Sequence, residues 1–225
     1  DTQAAAEAVA ETTVEDTQVA EQTGAVTFTD DLGREVTVDN PQRVISLIAS
    51  YADSWYLAGG IDKLVATTNA TWTYFDLPLR EDIVNLGSSK ELNQEQLLAC
   101  EPDFVIASCG TDRNVELETF FEDTGINVAY FSVNSFDDYL RVLKICTDIT
   151  GCTDNYEEYG TKVAEEVDAA LARVDDTHPT VLYVRASGKS CKVKNSEGSV
   201  LGEMLANMGC MNIADSNESL LEQLS

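Results

Sequence analysis

SFDDYLRVLKICTDITGCTDNYEEYGTKVAEEVDAALARVDD, from Ser135 to Asp176, is the stretch on which the reading of the whole chain turns. Two consecutive helices are written in it. Ser135 can cap the first, in which Phe136, Tyr139, Leu140, Leu143, Cys146 and Ile149 recur at helical spacing. Gly151 ends that helix, and Thr153 or Asp154 caps the next. The second helix carries Tyr156, Tyr159, Val163, Val167, Leu171 and Val174 as one stripe. Glu157, Glu158, Lys162, Glu165, Glu166 and Asp168 fill much of the rest. From Thr153 to Asp176 it would span about 36 Å at 1.5 Å per residue. Periodicity leaves two readings open: a stiff strut between two α/β lobes, or an ordinary crossover helix within one sheet.

Working outward, short apolar runs alternate with helical patterns. Val26–Thr29 and Glu35–Val38 alternate apolar and polar around Asp30-Asp31-Leu32-Gly33, a hairpin signal. Arg43–Ile48, Leu64–Thr67, Ile83–Leu86, Asp103–Ser108 and Asn127–Phe131 read as buried or extended strands. Helices open at Ser50, at Asn93 (with capping-box character) and near Val115, while Asn69–Asp76 reads as an irregular aromatic loop. Strands alternating with helices predict a parallel sheet covered on both faces. Beyond the long helix, Val181–Val184, a polar Gly/Lys loop, a helix around Val200–Met208 and Asn212–Ala214 begin the pattern again. It stops at Ser225 before a second sheet closes, so an incomplete second lobe is expected.

Composition narrows the functions. Among 225 residues, 40 are acidic and 14 basic, a net charge of −26. Such a chain lacks the clustered cations that neutralise nucleic-acid phosphates, and adsorption to anionic lipid is disfavoured too. No apolar run approaches the ~20 residues of a membrane helix. Residues 1–24 are set apart, with six acidic residues, no basic one and no aromatic. Disorder and a tethering role are expected there. The six cysteines form no CxxC pair and no zinc-type spacing. Cys100 and Cys146 fall on apolar helix faces and read as core thiols, while Cys191 and Cys210 are free to pair if the protein is exported. His178, the single histidine, reads as a surface-loop residue. No metal site and no catalytic set are expected: no GxGxxG or phosphate-binding loop follows any strand, and no Ser/His/Asp set offers itself.

The order of these pieces resembles a known family. Thr29-Asp-Asp-Leu-Gly-Arg-Glu-Val36 is followed by Pro41-Gln-Arg-Val-Ile-Ser46, and Asn93-Gln-Glu-Gln-Leu-Leu98 runs into Glu101-Pro-Asp-Phe-Val-Ile106. Gly125-Ile-Asn-Val128, the helix end from Leu143 to Gly151, and Gly209 to Asp215 complete the series. In that order they resemble the helical-backbone (class III) substrate-binding proteins of ABC importers, which serve ferric siderophores, haem and cobalamin. The resemblance covers Val26 to Ser225. It implies an α/β fold of two Rossmann-like lobes with parallel sheets joined by one long helix, the C-terminal lobe incomplete here. The divisions are 1–24 as acidic tether, 25–152 as first lobe, 153–176 as backbone helix and 177–225 as part of the second lobe. It also implies a monomer without catalysis or cofactor, export with a lipid anchor or to the periplasm, and an ABC permease dimer as partner.

In open α/β sheets ligands gather beyond the carboxyl ends of the strands. Taken strand by strand, the residues standing there are Ser50 and Tyr51 with Trp55 a turn on, then Trp72 and Tyr74, then Lys90, then Arg113, and in the second lobe Arg185. Lys189, Lys192 and Lys194 lie near Arg185 and form the densest basic run of the chain. These are the candidate ligand-binding residues: aromatic rings for the face of a macrocycle or siderophore, cations for its negative charge. Trp55 has a competing reading as core, and Lys189–Lys194 as a solvated loop. Tyr51 or Tyr74 would serve as axial ligand to a haem. The resemblance assigns permease docking to Glu95, whose place in the first turn of its helix is also explained by the helix dipole. The second lobe's docking glutamate would lie just past Leu221–Ser225, and Glu222 stands in the wrong place to replace it. Siderophore-type iron complexes are the first expectation for cargo, with corrinoids and haem behind. Two other readings remain: a manganese/zinc carrier, disfavoured by the lone histidine, and a surface adhesin or sensor without transport.

Overall fold

The computed structural model of the chain describes residues 24–187 and 190–216. The expectations for residues 1–23, Lys189 and Glu222 lie outside them.

The chain opens with an antiparallel hairpin of β1 (Val26–Thr29) and β2 (Glu35–Val38). Its turn is built on one carboxylate. Asp30 accepts the backbone N–H of Leu32 and Arg34, the Arg34 guanidinium, and the N–H of Tyr130 far along the chain. Burial works to raise the Asp30 pKa, but these donors outweigh it and hold the carboxyl below its ordinary value. The hairpin is thereby bolted to the sheet that follows.

That sheet has five parallel strands in the order β5 (Val84–Asn85), β4 (Leu64–Thr67), β3 (Val44–Ser46), β6 (Phe104–Ser108), β7 (Asn127–Phe131). Every residue of β3 and β6 is buried, as a sheet covered on both faces requires. Side chains alternate between two cores. Phe104, Ile106, Ala129 and Phe131 join the core that includes Ala52 and Trp55 of α1 (Ala49–Leu57) and Leu143 and Cys146 of α6 (Phe136–Thr150). Val105, Ala107 and Tyr130 join Leu97 of α3 (Gln94–Ala99) and Phe121 of α5 (Glu118–Thr124) on the other face. Gly60 is demanded by close approach, since a Cβ there would lie 2.2 Å from the Trp55 indole.

Three strands begin with one device. Asn40, Glu101 and His178 adopt left-handed backbone with φ of 40°, 46° and 43°, and each precedes a proline. Proline disfavours the right-handed helical conformation in the residue before it, so the chain turns sharply and leaves extended. The strands so launched are β3, β6 and β8 (Thr180–Val181).

Around the long helix the structure agrees with the sequence in part. Ser135 caps α6 in a full capping box with Asp138, and Gly151 closes it at φ 76°. The next helix runs unbroken through α7 (Thr153–Tyr156), a π-helical turn (Glu157–Thr161) and α8 (Lys162–Leu171). It ends at Leu171 rather than Asp176. The Asp175 carboxylate takes the N–H of Thr177, a local bond that competes with helix. The stripe on α8 is only half-buried.

Beyond it, β8 pairs in parallel with β11 (Met211–Asn212), and α9 (Val200–Asn207) lies between them in sequence, capped by Ser199. The expected Gly/Lys loop is instead largely an antiparallel hairpin of β9 (Tyr183–Ser187) and β10 (Ser190–Lys194). Cys191-Lys-Val-Lys194 alternates, and its Val193 is buried. All six cysteines are free, so Cys191 and Cys210 do not pair. Cys191 sits in this hairpin opposite Ala186, while Cys210 precedes the separate β8–β11 pair.

Candidate ligand-binding site

The order of the five-stranded sheet reverses between β3 and β6: β4 and β5 extend to one side of β3, β6 and β7 to the other. The connections leaving β3 and β6 run to opposite faces, α1 to one and α5 to the other, the switch point at which open α/β sheets hold their ligand crevice. Ser50, on the first turn of α1, is exposed at the β3 side. Beyond β4, the expected aromatic loop is a one-turn helix, α2 (Ala70–Tyr74). Hydroxyls build that turn where apolar periodicity is lacking. Thr71 pairs with Thr67 at 2.9 Å, and Thr73 donates to the Asn69 carbonyl at 3.1 Å. The turn presents Trp72 at 43 % exposure and Tyr74 at 78 %. Lys90 follows β5, is exposed, and has no side-chain partner among the described residues. Ser50, Trp72, Tyr74 and Lys90 thus all stand open at the carboxyl edge of one sheet.

Three other expected residues are otherwise engaged. Trp55 is 1 % exposed, tilted against Phe104, and borders a small cavity with Pro41, Gly60 and Lys63. Those neighbours precede β3 and β4, so the indole sits toward the amino-terminal ends of the strands, away from the crevice. The core reading of Trp55 stands. Tyr51 is 6 % exposed and donates its hydroxyl to the Phe131 carbonyl at 2.9 Å. Burial pushes its pKa to about 12, so it forms part of the floor and is not free to ligate. Arg113, beyond β6 on α4 (Asp112–Glu116), donates to the Leu92 carbonyl at 2.8 Å and pairs with Glu116 at 3.2 Å. It braces the segment entering α3.

Two groups beneath the crevice carry no pattern in the sequence. Asn114, fully buried, accepts the Ser108 N–H at 3.0 Å and donates to the Ser89 carbonyl at 3.4 Å. It ties the end of β6 to the loop after β5. Thr68, directly beyond β4, is buried with its hydroxyl unpaired among the described residues.

Arg185 lies in β9, exposed on the second hairpin. Glu95 is exposed in the first turn of α3, its N–H capped by Asn93 at 2.8 Å. A separate apolar groove of about 250 Å³ runs between α8 and α9, lined by Phe136, Val167, Leu171, Met204 and Met208. Among the described residues no group of His, Cys, Asp or Glu side chains is placed to hold a metal ion, and no helix is long and apolar enough to cross a membrane.

Comparison with known proteins agrees with this geometry. A family described as periplasmic binding protein matches residues 44–225. A possible iron-binding (periplasmic solute-binding) protein from Staphylococcus epidermidis superposes with a TM-score of 0.63 at 19% identity, over 77% of this chain and 67% of that one. The periplasmic haem-binding protein HutB of Vibrio cholerae gives 0.61 at 20% identity, over 76% and 65%. The periplasmic vitamin B12-binding protein BtuF of Vibrio cholerae gives 0.64 at 19% identity, over 77% and 66%. The chain thus spans about two thirds of the length of these structures. No curated protein matches it.

Proposed function

The chain belongs to the periplasmic binding protein family, and from that premise we propose that it captures a metal chelate outside the cytoplasm and delivers it to an ABC importer. One observation carries this reading. Trp72 and Tyr74 are large aromatic side chains left exposed on one short turn at the crevice, in a lobe whose other described aromatic residues are buried or half-buried. Exposed apolar rings beside a few polar groups are what a ligand face requires. Ser50 and Lys90 supply the polar groups from the first lobe, and Arg185 supplies one from the second. Structural neighbours described as iron-, haem- and B12-binding support a chelate as cargo. Siderophore-type iron complexes rank first, because aromatic rings and unpaired cations suit them together. Haem and corrinoids rank second. With the Tyr51 hydroxyl committed to Phe131, Tyr74 is the tyrosine left to ligate a haem iron.

On this reading residues 25–152 form the first lobe, the helix from Thr153 joins it to the second, and Glu95 docks on the permease. Glu95→Gln then lowers uptake in cells while chelate affinity stays constant. Isothermal titration calorimetry of the full chain with ferric siderophores, haem, cobinamide and cobalamin tests the proposal. Submicromolar binding of one of them is expected. A folded chain that binds none would overturn it and favour a surface adhesin or sensor.

A further inference from the structure

The cations of this acidic protein are distributed unevenly. In residues 24–152 every one but Lys90 is engaged by an oxygen: Arg34 by Asp30, Arg141 by Asp31, Lys144 by Asp148, and others by carbonyls or a side-chain amide. Among the described residues the cations without a side-chain partner are Lys90, Arg173, Arg185, Lys192 and Lys194. The last three share one hairpin. Its register sets Arg185 directly opposite Lys192 and Tyr183 opposite Lys194. Directly opposed residues, and those two along, project to the same face of an antiparallel pair. Tyr183, Arg185, Lys192 and Lys194 therefore make one face, while Val184 and the buried Val193 make the other.

Like charges directly opposite destabilise a strand pair. The chain has 40 carboxylate side chains, yet none among the described residues pairs with this face. Asp215, which braces the loop after β10, is taken by the Ser196 N–H and hydroxyl at 2.7 Å each. β9 follows β8 directly, so Arg185 lies toward the carboxyl end of that strand, where ligands of α/β proteins gather.

We infer that the Tyr183–Arg185–Lys192–Lys194 face of the hairpin binds a multiply charged anion, and hence that the cargo is an anionic chelate and not a neutral one. The inference rests on the carrier reading above and narrows its cargo. The cations would meet the ligand's ionised oxygens, and the Tyr183 ring would pack on its organic frame. A cargo bound this way relieves the repulsion between Arg185 and Lys192.

Equilibrium dialysis of the full chain against two synthetic iron complexes tests this: a trianionic ferric tris-catecholate and a neutral ferric trihydroxamate of similar size. Arg185→Gln/Lys192→Gln is compared with wild type, its fold checked by circular dichroism and thermal melting. Wild type is expected to prefer the trianionic complex, and the double variant to lose about tenfold or more of that affinity. Molar salt should weaken wild-type binding as well. Wild-type preference for the neutral complex, or a double variant that binds the tris-catecholate as wild type does, would overturn the inference and leave the carrier reading intact. Binding of neither complex, nor of haem or a corrinoid, would overturn both.

Discussion

Residues 44–131 and residues 180–216 are built from the same kinds of element, yet they satisfy their surfaces in opposite ways. In the first stretch five strands pair, β3 and β6 are wholly buried, and large side chains fill two cores. In the second, strands pair only in twos, and Leu182, Leu201, Met204 and Met211 lie exposed. The contrast extends to charge. The first lobe ties up its cations except at the crevice, while the β9–β10 hairpin leaves three unpaired on one face. A sheet covered on both sides supports its own stability, and what it leaves unsatisfied at one edge is then informative. Trp72 and Tyr74 stand out as exposed aromatic rings in a lobe whose other described aromatic residues are at least half-buried, and Lys90 as the cation there without a side-chain partner among the described residues.

The largest expected effect tests the contrast in packing. Trp55→Ala should cost about 3–5 kcal/mol in denaturant unfolding, the range for emptying a large aromatic site in a core. Met204→Ala should cost less than about 1 kcal/mol, since the side chain is exposed. Equal costs at the two sites would mean that the two stretches are packed alike.

An intermediate effect concerns the clamp between the hairpin and the sheet. Asp30→Asn should destabilise by about 1–3 kcal/mol, because the Arg34 guanidinium and buried N–H groups lose a charged acceptor. The Asp30 pKa is lowered in the folded state from an ordinary value of 3.8. Its contribution is therefore fully present above that value and is lost as pH falls through the lowered folded value. Acid melting curves should show a loss of stability below about pH 4 that is smaller in Asp30→Asn. Identical acid profiles would show that the Asp30 carboxylate does not clamp the hairpin.

The smallest effect lies on the second hairpin. Lys192→Glu, placing a carboxylate across from Arg185, should raise the melting temperature slightly, by the equivalent of about 0.2–1 kcal/mol. A lowered melting temperature would mean that the two cations do not repel as their register implies.

Much of the first lobe is legible in the sequence because its physics is local. The apolar runs of β3 and β6, the capping box at Ser135, the Asn93 cap and the stop at Gly151 all act within a few residues. The site is less legible because its sorting is long-range. The Tyr51 hydroxyl is claimed by Phe131, 80 residues away, and nothing near Tyr51 announces it. Trp55 follows Ser50 closely on a short helix, where periodicity does not separate core from crevice. α2 escapes detection because threonine hydroxyls, not apolar spacing, hold its turn. The β9–β10 hairpin reads as a loop because its lysines hide the alternation around Val193. The helix ends at Leu171, where Arg173 and Val174 bond back three residues and not four, a change that helical periodicity does not register.

The two tryptophans offer the most direct test of where ligand binds, since Trp55 is enclosed and Trp72 is open at the crevice. The measurement is tryptophan fluorescence of wild type and Trp72→Phe, titrated with the tightest-binding chelate and corrected for absorption with free tryptophan. Saturable quenching is expected in wild type, and most of it should vanish in Trp72→Phe while Trp55 still emits. Undiminished quenching in Trp72→Phe, with binding intact, would contradict the placement of the ligand at the carboxyl edge of the first lobe.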